Sequence, residues 1–220
     1  MFYGIAPNVH LADIDGDLVL LDAHANAYFC VPRGYARGLK SALTGNNRFR
    51  PCADMLDDLE AAGLFTTIDA PALFDPPPFR ATRDLRQWPG ARARMTPYLF
   101  WRILTGAVRT HLGLRLSRPE AWLRRVAHRN ARAKRKGDVA RVYALARLAR
   151  DAQPWLPGMG SCLPSSLFLL QLLHRHGFAA RWVIGVRTYP FEAHCWVEHD
   201  DRVLNDSLEH VRWFTPIVAV

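Results

Sequence analysis

A chain of 220 residues, half of them apolar and 22% charged, can bury a sizeable core and is too apolar to remain disordered. Its net charge of +9 is concentrated, because residues 80–150 carry 19 basic and three acidic side chains. The four cysteines (Cys30, Cys52, Cys162, Cys195) have no CxxC spacing, which argues against a disulfide scaffold and for reduced thiols. No apolar run reaches the ~18 residues of a membrane helix. The first residues lack the basic and apolar regions of a secretory signal, so the expected location is the cytoplasm.

In chain order, VHLADI, DLVLLD and NAYFCV predict three short strands within residues 8–31. Asp15-Gly16 between the first two is a hairpin signal, since glycine tolerates the positive φ of such turns. Residues 34–43 and 52–62 read as two helices, the second with Met55, Leu56 and Leu59 on its apolar face and Gly63 as its C-terminal cap. Three strands followed by helices describe a small winged-helix-like module.

The run DGDLVLLDAHANAYF resembles the strand pattern of PqqD-like leader-peptide recognition domains. That resemblance implies that a precursor's leader docks as an extra strand beside the third strand and against the last helix. Carried over, the receiving edge is 26–31, with Tyr28, Phe29, Cys30 and Val31, and the groove wall holds Asp54, Asp57 and Asp58. A β-rich cap with no ligand accounts for the same residues.

Five prolines in residues 69–90 mark a linker. The expected division is therefore 1–70 for recognition, 71–94 for the linker and 95–220 for a second domain, with basic helices over 95–152 and a catalytic core over 153–220. Thr96-Pro97 is a good helix start. Ser117-Arg118-Pro119-Glu120 has the form of a capping box, and Asp138 suits the N-cap of a third helix. The basic run HRNARAKRKG (128–137) reads as a solvated face or as a docking patch for an acidic protein or membrane surface. Nucleic-acid binding is not expected, because no recognised motif and no interleaved aromatics accompany the run.

QPWLPGMGSCLPSSLFLLQLLHRHGF begins at Gln153 and is the clearest element. Prolines and glycines enforce irregular backbone up to Cys162, Pro164 fits the first turn of an apolar helix, and Gly177 caps it. A cysteine at a helix N-terminus meets the positive end of the dipole and unpaired N–H groups, both of which favour thiolate. Downstream, ARWVIGVR reads as a buried strand and HCWVEHDDRVLND as a hairpin. A three-residue loop (199–201) puts His194 opposite Asp206, whereas a two-residue loop does so only with a bulge. Cys162, His194 and Asp206 then suit nucleophile, general base and orienting carboxylate. Cys195 alternates to the other face and reads as core. His10, His24, His111, His128 and His210 read as isolated, and no histidine pair has zinc-ligand spacing backed by a third ligand, so neither a metal nor another cofactor is expected.

GSCLPSSLFLLQLLHRHGFAARWVIGV followed by PFEAHCWVEHDDRVLND closely resembles the transglutaminase-like cysteine proteases of lasso-peptide biosynthesis. The resemblance implies a Cys162–His194–Asp206 triad that removes the leader from a precursor peptide. It also implies a partner cyclase of the asparagine-synthetase type that closes a macrolactam. The expected fold is α+β: the winged-helix-like module, a helical segment, then a papain/transglutaminase-like catalytic domain. By the triad alone, an acyltransferase or amidase remains open. So does a non-catalytic chaperone that presents the precursor to the cyclase.

Overall fold

In the computed structural model, which describes residues 2–44, 52–68, 76–90, 95–133, 138–156 and 158–220, the three expected N-terminal strands form one antiparallel sheet. Strands β2 (Val9–Ile14), β3 (Asp17–Asp22) and β4 (Ala27–Val31) lie in sequence order; β1 (Phe2–Ile5) pairs instead with β5 (Phe65–Ile68), a ribbon that the strand pattern did not suggest. Asp15 and Gly16 turn between β2 and β3 with φ of 51° and 101°. A Cβ on Gly16 would lie 2.6 Å from Nε of Arg33, which donates to Asp15 O.

Strand alternation gives this sheet two buried faces. Val9, Leu11, Leu18, Leu20 and Val31 pack on α1 (Arg33–Thr44) and α2 (Ala53–Ala61). Gly63, with φ of 71°, ends α2 as expected, its N–H bonded to Glu60 O. The opposite face, with Ala12, Ile14, Val19, Leu21 and Ala23, enters the largest core of the protein. The N-terminal sheet and the C-terminal part of the chain therefore share one interior. The turn after β3 is pinned too, because His24 Nδ1 meets Glu120 at 2.9 Å and Ala23 O accepts from Glu120 N–H.

Of the expected linker, residues 71–75 and 91–94 lie outside the described residues. The part between them joins the catalytic sheet: β6 (Arg83–Asp84) runs parallel to β9 (Arg202–Val203), and Asp84 Oδ2 accepts from Leu208 N–H.

Helix α3 (Pro97–Leu116) starts on Thr96, whose Oγ1 accepts from Leu99 N–H, and α5 (Val139–Ala152) starts on Asp138, as the caps predict. The capping box does not form. Helix α4 (Pro119–Ala131) begins after Arg118, and Glu120 is spent on His24 and Arg124. Residues 134–137 of the basic run lie outside the described residues. Helix α6 (Cys162–Arg175) starts at the cysteine, is buried from Ser166 to Leu173 apart from Gln171, and is closed by Gly177 with φ of 83°. It packs on a five-stranded sheet ordered β10 (Thr215–Ala219), β7 (Arg181–Arg187), β8 (Glu192–His199), β9, β6, with α7 (Leu208–Val211) before β10.

The β8–β9 connection corrects the expected register. Glu198 pairs with Val203 and His199 with Arg202, so the loop has two residues, Asp200 and Asp201, and His199 ends the strand. Strand β9 then stops after two residues. Leu204 N–H still reaches Val197 O, but Val197 N–H is taken by Asn205 Oδ1 at 2.8 Å. A side chain thus replaces the backbone acceptor, the ladder ends, and residues 204–206 leave it as bends. This irregularity does the work of the bulge that a two-residue loop requires.

Candidate catalytic site

Where β9 breaks off, the edge of β8 is open, and the three predicted catalytic side chains meet there. Asp206 Oδ2 lies 2.5 Å from Nε2 of His194, and Asp206 Oδ1 accepts from Ser207 N–H at 2.7 Å. With Nε2 committed to the carboxylate, Nδ1 is left for the sulfur of Cys162. The Cys162 sulfur is held by the Cys195 thiol, by His194 and by the Cys195 backbone N–H.

The electrostatics follow from these contacts. The bond with Cys195 is the largest influence on Cys162; with the His194 bond and charge it outweighs burial and brings the thiol down to about 4. Burial alone would lower His194, but its bonds to Asp206 and Cys162 raise it to about 9. Burial pushes Asp206 up, yet His194, His210 and the Ser207 N–H hold it down at about 2. The combination is a thiolate beside an imidazolium oriented by a carboxylate. Cys195 is buried, as expected for core, but also touches the reactive sulfur, and its own thiol is driven well up by the neighbouring Cys162 and by burial.

Packing fixes the imidazole. The His194 ring stacks on Trp196 with 6.1 Å between centroids and lies 5.0 Å from the ring of Phe214. Trp196 Nε1 donates to Glu198 Oε1 at 2.7 Å, and that carboxylate is paired with Arg181. Gly185, opposite His194 on β7, has no room for a side chain: a Cβ would come within 2.8 Å of the Trp196 ring. A glycine inside the buried run VIGV was the sequence signal for that close approach.

Two residues escaped the sequence reading. His210 is not isolated, because its Nδ1 meets Asp206 Oδ2 at 2.9 Å from one turn along α7. Its signal was the i, i+4 spacing from Asp206, with Ser207 as N-cap. Asn205 was the second. Its Nδ2 donates to Ser166 Oγ at 2.8 Å, and Ser166 Oγ donates to Cys195 O, so helix α6 and strand β8 are tied behind the nucleophile. Ser165 donates to Cys162 O and is a first-turn residue. Gln153 is occupied with Met159 O, and Trp155 is 81% exposed. His194, Asp206 and His210 place one potential ligand atom each within 4.8 Å of one another, a convergence that linear spacing did not reveal.

The seven residues suggested for leader binding separate in space. Asp54, Asp57 and Asp58 are exposed on α2, and Val31 is buried against the N-terminal helices. Phe29 and Cys30 are exposed, whereas Tyr28 is half-buried and packs, as Cys162 does, against the largest core.

No solved structure matches the chain. The microcin J25-processing protein McjB of Escherichia coli is 46% identical over 46 residues, a match spanning 21% of this chain and 22% of that protein. A family model for the transglutaminase-like superfamily matches residues 104–219, more than half the chain and all of the triad; the protein belongs to that superfamily.

Proposed function

We propose that the protein is a cytoplasmic cysteine peptidase that binds the leader of a ribosomally made lasso-peptide precursor and cleaves it off. The observation that carries this reading is the His194–Asp206 pair beside a thiol held at about 4 at a helix N-terminus. The similarity to McjB, whose name describes processing of microcin J25, supports the pathway. Cys162 thiolate attacks the scissile carbonyl, and His194 hands its proton to the departing amine. Water, deprotonated by His194, then releases the leader from the thioester. The oxyanion has two N–H donors in the first turn of α6, Cys162 and Leu163. Pro164 has none, and Ser165 N–H is bonded to Ser161 O.

In this reading residues 1–70 recognise the leader, with the outer edge of β4 as the receiving strand. The freed core N-terminus passes to a cyclase of the asparagine-synthetase type. The arginines of α4 and its C-terminal end dock an acidic face of that partner or an anionic membrane surface. An amine in place of water would make the same acyl-enzyme an acyltransferase, which product analysis separates.

The test is mass spectrometry of the precursor after incubation with the protein. Wild type releases the leader, and Cys162→Ala binds the precursor but leaves it whole. Undiminished cleavage by that variant sinks the reading. Chelator treatment leaves the rate unchanged; loss of activity restored by zinc would move His194, Asp206 and His210 to a metal site.

A further inference from the structure

The outer edge of β4 is not only a place for a peptide to dock; its Tyr28 ring meets Phe191, just ahead of the strand that carries His194. The two-residue turn at Asp15-Gly16 makes Ile14 and Asp17 a hydrogen-bonded pair, which sets the alternation across the sheet. Leu18, Leu20 and Asp22 therefore bond Val31, Phe29 and Ala27 on β4. The N–H and C=O groups of Tyr28 and Cys30 point outward, and among the described residues no strand pairs with that edge. Unpaired groups of this kind accept an extended peptide.

The Tyr28 side chain is half-buried and packs against the same large core as Cys162 and Ala193. Its ring lies 5.3 Å from that of Phe191, the residue preceding β8. Phe191 is three residues from His194, about 10 Å along an extended strand. Between β4 and the 188–191 turn opens a cavity of about 310 Å³, lined by Tyr28, Phe29, Tyr189, Pro190 and Phe191 among others and by no charged side chain. That volume stands at the small end of ligand pockets, which run from about 300 Å³, and suits a side chain or two.

We propose that this cavity is a substrate subsite that takes an apolar or aromatic side chain lying within about three residues of the scissile bond, on its leader side. This rests on the peptidase reading: a leader held on β4 must pass the cavity on its way to Cys162. The N-terminal module then builds part of the active site and selects the residue near the cut. Tyr28 keeps its proton there, raised to about 12 first by burial and then by the charges of Cys195 and Cys162.

The experiment uses the full chain and acetylated tripeptidyl chloromethyl ketones with leucine or phenylalanine at one of three positions and alanine elsewhere. Adduct formation at Cys162 is followed by intact mass and peptide mapping. In wild type one apolar position speeds labelling roughly tenfold or more over the all-alanine probe, as expected for burying a large apolar side chain. Phe191→Ala, which alters a half-exposed ring, brings that ratio close to one, as does Tyr28→Ala. Tyr28→Phe keeps the ratio, and so does Tyr98→Ala on the exposed face of α3. A ratio near one at all three positions in wild type, or a ratio that survives Phe191→Ala, overturns the subsite. If no probe labels Cys162 in wild type, the peptidase reading falls, and the subsite with it.

Discussion

With its thiol down at about 4 and His194 up at about 9, Cys162 pairs a negative charge with a positive one between those pH values, so on the proposed peptidase reading the nucleophile is formed before substrate arrives. The sign of each limb is fixed by which member titrates. Acid protonates the thiolate, so alkylation of Cys162 by iodoacetamide should fall as pH drops through about 4. Alkali strips the imidazolium of the proton the leaving amine needs, so cleavage should fall as pH rises through about 9. Asp206 raises His194, so Asp206→Asn should move the alkaline limb to lower pH, and an unmoved limb would dissociate the carboxylate from the imidazole. Cys162 was legible because a helix start can be read from Pro164 and the apolar run behind it. His210 was missed because its partner is one turn away on a four-residue helix too short to show periodicity. Cys195 was half legible. Alternation placed it in the core, but only the approach of α6 to the edge of β8 brings it to the reactive sulfur.

At the scale of elements, the geometry of the candidate site depends on a strand that ends early. The alternation of HCWVEH was readable, and so was the apolar strand before it. The loop length was not, because it is decided by Asn205 replacing a backbone acceptor for Val197, and side-chain competition with a ladder leaves no period in the sequence. Asn205→Ala should strand that N–H and cost about 1–3 kcal/mol, read as a lowered midpoint in chemical denaturation. Cleavage should fall in the same variant because Asp206 loses its approach; an unchanged midpoint would assign the bond no structural weight. Gly185→Ala should cost a similar ~1–3 kcal/mol by overpacking, since Trp196 and the Cβ of Phe214 fill the space. The capping box failed for a related reason: Glu120 had a better use in a contact with His24, 96 residues away.

Across the whole molecule, composition correctly placed the charge in the middle of the chain, and the structure concentrates part of it. Arg109, Arg125, Arg129, Arg132 and Arg175 line a cleft of about 890 Å³ around the C-terminal end of α6. That is the far end of the helix from Cys162, about 20 Å away at 1.5 Å per residue. Among the described residues none of the five has an ion-pair partner. Charge reversal at Arg129 and Arg132 should therefore weaken association with the proposed cyclase partner or with anionic vesicles in low salt and matter little in high salt. Insensitivity to both would return these side chains to simple solvation. The prolines suggested a boundary between two parts of the chain. The shared interior could not, since a strand buried on both faces looks the same whichever neighbour covers it.

Ala12, Ile14, Val19, Leu21 and Ala23 give that shared interior a practical meaning. Were the gene cut in the proline-rich segment, each fragment would carry a wet greasy face meant for the other. Expressed singly, the two pieces should be sticky and silent. Produced together, they should find each other and regain cleavage as a non-covalent pair, so that one polypeptide is a convenience of synthesis and the folded unit is the joint between its halves.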